Sequence, residues 1–186
     1  IRSYGGVPKA GELFRRAGVK VVDIGWTQDL AGVRHALMET ARALGEPQRG
    51  RAMLADFDAR LAALQPPRGS HPTALYATSA GVTTGPGSLV HKMLEAAGYE
   101  NYQQRPGWSP LPLEAMVEHR PERMIAAFTG RVSETRFAWS AMRHPVARKA
   151  LEDVPTVRVD GAWTTCGGWF VLDAIEAMAA RGSPHG

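Results

Sequence analysis

The chain predicts an α/β fold, and three observations carry that prediction. Segments with apolar residues at three- and four-residue spacing alternate with short apolar or β-branched runs along the whole sequence. The 186 residues include 20 Gly and 13 Pro, too many for a plain helical bundle but suited to repeated turns between strand and helix. A proline-rich stretch over 65–72 divides the helical first part from a second part in which strand and helix alternate again.

Taken in order, residues 1–6 read like the end of a strand running into a loop. Residues 8–17 place Leu13, Phe14 and Ala17 on one helical face, with Gly18 as the C-cap. The β-branched run over 19–24 predicts a strand. Val33, Leu37 and Leu44, then Met53, Leu54, Phe57, Leu61 and Leu64, predict helices over 30–44 and 47–64. Gly45-Glu46-Pro47 interrupts the run, and Pro47 at a first helical turn loses no hydrogen bond by lacking an N–H. Residues 65–72, with three prolines, form the best candidate for a domain boundary.

Beyond it the sequence predicts a strand over 73–78, a glycine-rich turn over 81–87, and a helix over 88–97 stopped by Gly98. A short helix over 113–119, a strand over 124–128 and a helical segment over 133–142 follow. The last elements are a strand over 154–159, a loop over 161–168, and a closing helix over 169–180 that buries Val171, Leu172, Ile175 and Met178.

Composition removes several function classes. The net charge of +4 arises from 22 Lys and Arg against 18 Asp and Glu, scattered along the chain rather than gathered into a basic stripe, so nucleic acid is not an expected partner. A single cysteine, Cys166, excludes an intramolecular disulfide and a zinc site built from several thiolates. No stretch approaches the roughly 18 apolar residues that cross a bilayer. The six histidines show no H-E-x-x-H spacing, and no Walker loop, dinucleotide fingerprint or G-x-S-x-G elbow is present.

The candidate site residues each have two readings. The run from Ser79 to Ser88, which includes Thr83 and Thr84, is either a tight turn that needs glycine or a turn lining a cleft. Trp108 and Trp163 lie where no strand or helix period explains them, so each is an anchor beneath a loop or a platform for a large ligand. Tyr4 and Trp26 share that ambiguity. Cys166 is either a nucleophile for an α/β enzyme acting on a phosphorylated substrate held by the glycine-rich turn, or a small side chain at a crowded turn. Glu114 opens a short helix, as a helix-start residue or as an exposed acid that pairs with arginine on a partner.

The ordered motifs Thr84-Gly85-Pro86-Gly87-Ser88-Leu89, Ala97-Gly98, Trp108, Leu113-Glu114, Pro121-Glu122-Arg123-Met124-Ile125, His144-Pro145 and Trp163-Thr164-Thr165-Cys166-Gly167-Gly168 resemble the C-terminal lobe of the class III periplasmic binding proteins. These are the substrate-binding components of ABC importers for iron-siderophores, haem and cobalamin. The resemblance implies a C-terminal α/β lobe over 66–186, a rigid connecting helix over 47–65, and the tail of an N-terminal lobe over 1–46. It implies binding without chemistry, a cleft formed by Tyr4, Ser79, Thr83, Thr84, Trp108 and Trp163, and no cofactor beyond the captured metal chelate. Glu114 falls where the family docks on permease arginines. The resemblance also implies a periplasmic or envelope location, and an incomplete N-terminal lobe invites self-association.

Overall fold

Ala74, Leu75, Tyr76 and Ala77 are apolar in an unbroken run, which suits a strand covered on both faces. The computed structural model describes residues 10–22, 24–64, 69, 71–128 and 140–180. In it Thr73–Thr78 (β1) is an inner strand of a four-stranded parallel sheet. The order is β3-β1-β5-β6, with β3 at Glu100–Asn101, β5 at Arg123–Phe128 and β6 at Thr156–Asp160. Register runs Tyr76 to Ile125 to Val157. β5 has the same doubly covered pattern as β1, whereas β6 at the edge alternates buried and exposed positions.

Side chains alternate across β1, so Ala74 and Tyr76 enter one core and Leu75 and Ala77 the other. The first core gathers Val90, Met93 and Leu94 of α4 (Leu89–Ala96) with Val171, Leu172, Ile175 and Met178 of α8 (Val171–Ala180). The second is closed by Met116 of α5 (Leu113–Glu118) and by Ala147 and Ala150 of α6 (Pro145–Asp153). The long helices α2 (Leu30–Ala43) and α3 (Pro47–Ala63) reach the first core through Val33 and Phe57. Short α1 covers Ala10–Arg16.

Local chemistry sets the helix starts. Asp29 Oδ1 accepts from Gly32 N–H at 2.7 Å, Ser88 Oγ accepts from His91 N–H at 3.1 Å, and Pro47 occupies the first turn of α3.

The α/β class is borne out, with four differences in detail. Among the described residues of 19–24 there is no strand; Val19 is 51% exposed, and β-branched residues without a paired neighbour do not make one. The glycine-rich turn contains β2 (Val82–Thr84), which pairs antiparallel with β4 (Trp108–Pro110). The loop over 161–168 contains a single helical turn, α7 (Ala162–Thr165). Of the helix expected over 133–142, residues 133–139 lie outside the described residues, and Ala141–Arg143 forms a 3-10 turn.

α3 and α8 are joined by one arginine. Arg60 donates from Nε and Nη2 to the two carboxylate oxygens of Glu176, at 2.9 and 2.7 Å, and from Nη2 to Asp173 at 2.7 Å. Those bonds, Glu176's first and Asp173's next, raise the guanidinium pKa further above its already high value. Arg60→Ala is expected to lower unfolding stability by about 1–2 kcal/mol, a charged-bond value discounted because Arg60 stays a third exposed. Urea denaturation checks this, and a double-mutant cycle with Glu176→Gln should return a favourable coupling.

Candidate ligand-binding cleft

The two-stranded ribbon of β2 and β4 packs beside β1, bonded to Asn101 of β3 through Thr84 O, and carries Trp108. Thr83 pairs with Ser109 and Thr84 with Trp108. Its position is fixed by buried amides that the sequence reading did not single out. Asn101 Nδ2 donates to Thr84 O and Asn101 Oδ1 accepts from Gln103 N–H, each at 3.0 Å. Gln103 Nε2 donates to Ser109 Oγ and its Oε1 accepts from Arg105 N–H, also at 3.0 Å. The visible signal is the pair of amides, Asn101 at the end of β3 and Gln103 just after it, beside an apolar core.

Gly85 explains the glycine-rich turn. A Cβ there would lie 2.1 Å from Arg105 O and 2.8 Å from Gln103 O, so the turn presses backbone to backbone against the 103–107 loop. Gly85 N–H donates to Gly107 O at 3.0 Å. The turn is therefore a packing joint that supports Trp108.

Opposite the ribbon, residues 24–28 and the segment 164–168 close a cleft of about 410 Å³, with Leu89 and Val90 of α4 along its wall. Gly167 permits this approach, because a Cβ there would meet Thr27 Cβ at 2.4 Å. Trp26, 57% exposed, and Trp108, 50% exposed, both line the cleft, as do Phe170 and Cys166. Trp108 rests edge-on against Tyr76, ring centroids 6.3 Å apart at 72°. Phe170 belongs to the turn before α8 rather than to the predicted helix, and it holds an edge contact with Trp169 at 6.1 Å.

A second recess of about 250 Å³ adjoins the cleft at the C-terminal ends of β1, β5 and β6. It shares Trp108, Thr164 and Thr165 with the larger space and includes Tyr76, Thr78 and Ser79. The crevice beyond the carboxyl ends of parallel strands is where open α/β sheets bind ligands.

The predicted site residues divide accordingly. Trp108 lines both spaces and Ser79 lines the recess. Thr83 and Thr84 are fully buried and line neither; Thr84 Oγ1 donates to Gly107 O at 3.0 Å, inside the ribbon. Their outward role is corrected because alternation across β2 is overridden by packing on both sides of so short a strand. Trp163 packs partly buried against the first core and borders none of these spaces, so it is placed as an anchor. Tyr4 lies outside the described residues. Glu114 is exposed in the first turn of α5. Among the described residues no cluster of three His, Cys, Asp or Glu side chains could hold a metal ion, and no helix is long and apolar enough to cross a membrane.

Residues 1–147 match the sequence model of a family described as periplasmic binding protein. The chain belongs to that family. No curated protein matches it. Its fold is similar to a periplasmic heme-binding protein from Pseudomonas aeruginosa, 22% identical, with a TM-score of 0.73 over 98% of this chain and 71% of that one. It is also similar to the periplasmic heme-binding protein RhuT from Roseiflexus sp. RS-1, 19% identical, with a TM-score of 0.71 over 97% and 75%. An ABC-type Fe3+-hydroxamate transport protein from Saccharomonospora viridis is 18% identical, with a TM-score of 0.69 over 96% and 66%.

Periplasmic binding proteins capture solutes and are not enzymes, which overturns the alternative of a Cys166 nucleophile acting on a phosphorylated substrate. The geometry agrees. The glycine-rich turn that such an enzyme would use for phosphate is closed by the 103–105 backbone, and exposed Cys166 lies in the cleft wall among tryptophan, glycine and threonine. Self-association through residues 1–46 finds no support in the family or in the similar structures.

Proposed function

We propose that this chain is the solute-binding component of an ABC importer for a bulky metal chelate, an iron-siderophore, cobalamin or haem, captured in the cell envelope and delivered to a permease. The observation that carries the reading is the placement of two half-exposed tryptophans, Trp26 and Trp108, on one cleft of about 410 Å³. Exposed indoles facing a shared space supply stacking area for a large ligand with few polar contacts. The family and the heme- and Fe3+-hydroxamate-related names of similar structures support the class of cargo. In this reading residues 66–186 form the C-terminal lobe, 47–65 the connecting helix and 1–46 the tail of the N-terminal lobe, with Tyr4 and Ser79 also on the cleft.

Calorimetric titration with hemin, a ferric trihydroxamate and cyanocobalamin tests the proposal. One of the three is expected to bind saturably at one site; no heat from any of them would overturn it.

Glu114 is assigned the docking role, pairing with a permease arginine through charge-assisted hydrogen bonds. Glu114→Arg is expected to leave ligand affinity unchanged while removing most ligand-stimulated ATP hydrolysis by the cognate permease in proteoliposomes. Equal loss of affinity and stimulation would contradict this role.

A further inference from the structure

Gly167 lacks the positive φ of Gly25 or Gly87, so the left-handed region does not call for glycine there. Its neighbour Thr27 does. A Cβ on residue 167 would lie 2.4 Å from Thr27 Cβ and 2.7 Å from each of Thr27 Cγ2 and Oγ1, so the threonine side chain rests directly on the glycine backbone. Thr27 has no freedom to retreat on its other side. A Cβ on Gly32 would lie 3.2 Å from Thr27 Cγ2, which places the threonine methyl on the first turn of α2, and α2 is held to α3 by the 2.7 Å ion pair of Arg34 and Asp58. Gly167 is anchored from the opposite direction: it follows α7, whose Thr164 is hydrogen-bonded to Tyr76 of β1 at 2.8 Å. Thr27 and Gly167 both line the cleft, and Trp26 and Cys166 precede them along its wall.

Resting on the proposed function, we propose that the contact between Thr27 and Gly167 determines specificity by setting the gap of the cleft, and with it the thickness of chelate accepted. On the proposed lobe assignment it joins the two lobes, Thr27 from the tail of the N-terminal lobe and Gly167 from the C-terminal lobe. Trp26 stands where the adjoining Thr27 is seated, and Trp108 stands where the ribbon beside β1 holds it. Any change in the stand-off between residues 27 and 167 is therefore carried into the space between the two indoles. A methyl at 167 would force the segments apart by about 1 Å, from 2.4 Å to an ordinary contact of 3.4 Å. A gap of that size on one side of a stacked ligand forfeits roughly a quarter to a half of the dispersion contact there, unless a thicker ligand fills it.

Calorimetry with ligand pairs that share a core and differ in bulk tests this: cyanocobalamin and adenosylcobalamin, hemin without and with two axial imidazoles, and ferrioxamine B acylated at its terminal amine with acetyl or with adamantoyl. For whichever core the wild type binds, Gly167→Ala is expected to weaken the thinner member by about tenfold and the bulkier one less, shifting the affinity ratio toward the bulkier member by about threefold or more. Adding Thr27→Gly removes the atoms that the new methyl meets and should return the ratio to the wild-type value. Thermal unfolding reads the same contact without ligand. Gly167→Ala should lower Tm by about 4 °C, and Thr27→Gly, destabilising by itself, should raise Tm in the Gly167→Ala background. A ratio unchanged in Gly167→Ala, or one that Thr27→Gly fails to restore, overturns the gap-setting role while leaving chelate capture intact. If no member of any pair binds the wild type, chelate capture itself is refuted and the gap-setting role goes with it.

Discussion

Gly85→Ala is expected to be among the most damaging single substitutions in the molecule, lowering unfolding stability by about 3 kcal/mol. The added methyl would sit 2.1 Å from Arg105 O and 2.8 Å from Gln103 O, both backbone atoms that cannot rotate away. Relief requires the 103–107 loop to move, and that loop is tied to Gly85 by the bond from its N–H to Gly107 O. Trp108 follows directly, so ligand affinity should fall together with stability. Gly87→Ala is the control: Gly87 has φ +78 but open space around it, so only backbone strain applies and the cost should be about 1 kcal/mol. Urea unfolding of the two variants separates contact from conformation.

Trp108→Ala should have the opposite profile. Its ring is half exposed and its described ring contact is the edge-on approach to Tyr76, so stability should fall by less than about 1.5 kcal/mol. Ligand affinity should fall by roughly 30-fold, the size typical of a central aromatic anchor. Trp108→Phe should recover part of that loss, because a smaller ring keeps the stacking mode with less area. Calorimetry on the three forms measures the series.

The sequence made legible those features that local patterns dictate. The apolar runs of β1 and β5, the Ser88 and Pro47 starts, and the buried stripe of α8 all follow from residues within a few positions of one another. The β2–β4 ribbon did not, because each strand is three residues long and its partner lies some two dozen residues away; Thr83 and Thr84 read as a polar turn until Ser109 and Trp108 are set beside them. The run over 19–24 failed in the other direction, since β-branched residues signal a strand that needs a neighbour to exist.

Within the cleft, Trp108 was recognisable as a tryptophan that no period explained, and Trp163 carried the same signal for a different reason. Its short helix α7 turns it onto the first core. Phe170 was hidden because its spacing fits the closing helix that begins one residue later.

The most direct measurement is intrinsic tryptophan fluorescence of the wild type and Trp108→Ala, titrated side by side with hemin, a ferric trihydroxamate and cyanocobalamin. A saturable quench by one of these in the wild type, with weaker affinity and smaller amplitude in the variant, is the expected result. The absence of a saturable quench by all three, or a binding curve unchanged by Trp108→Ala, would contradict chelate capture at this cleft.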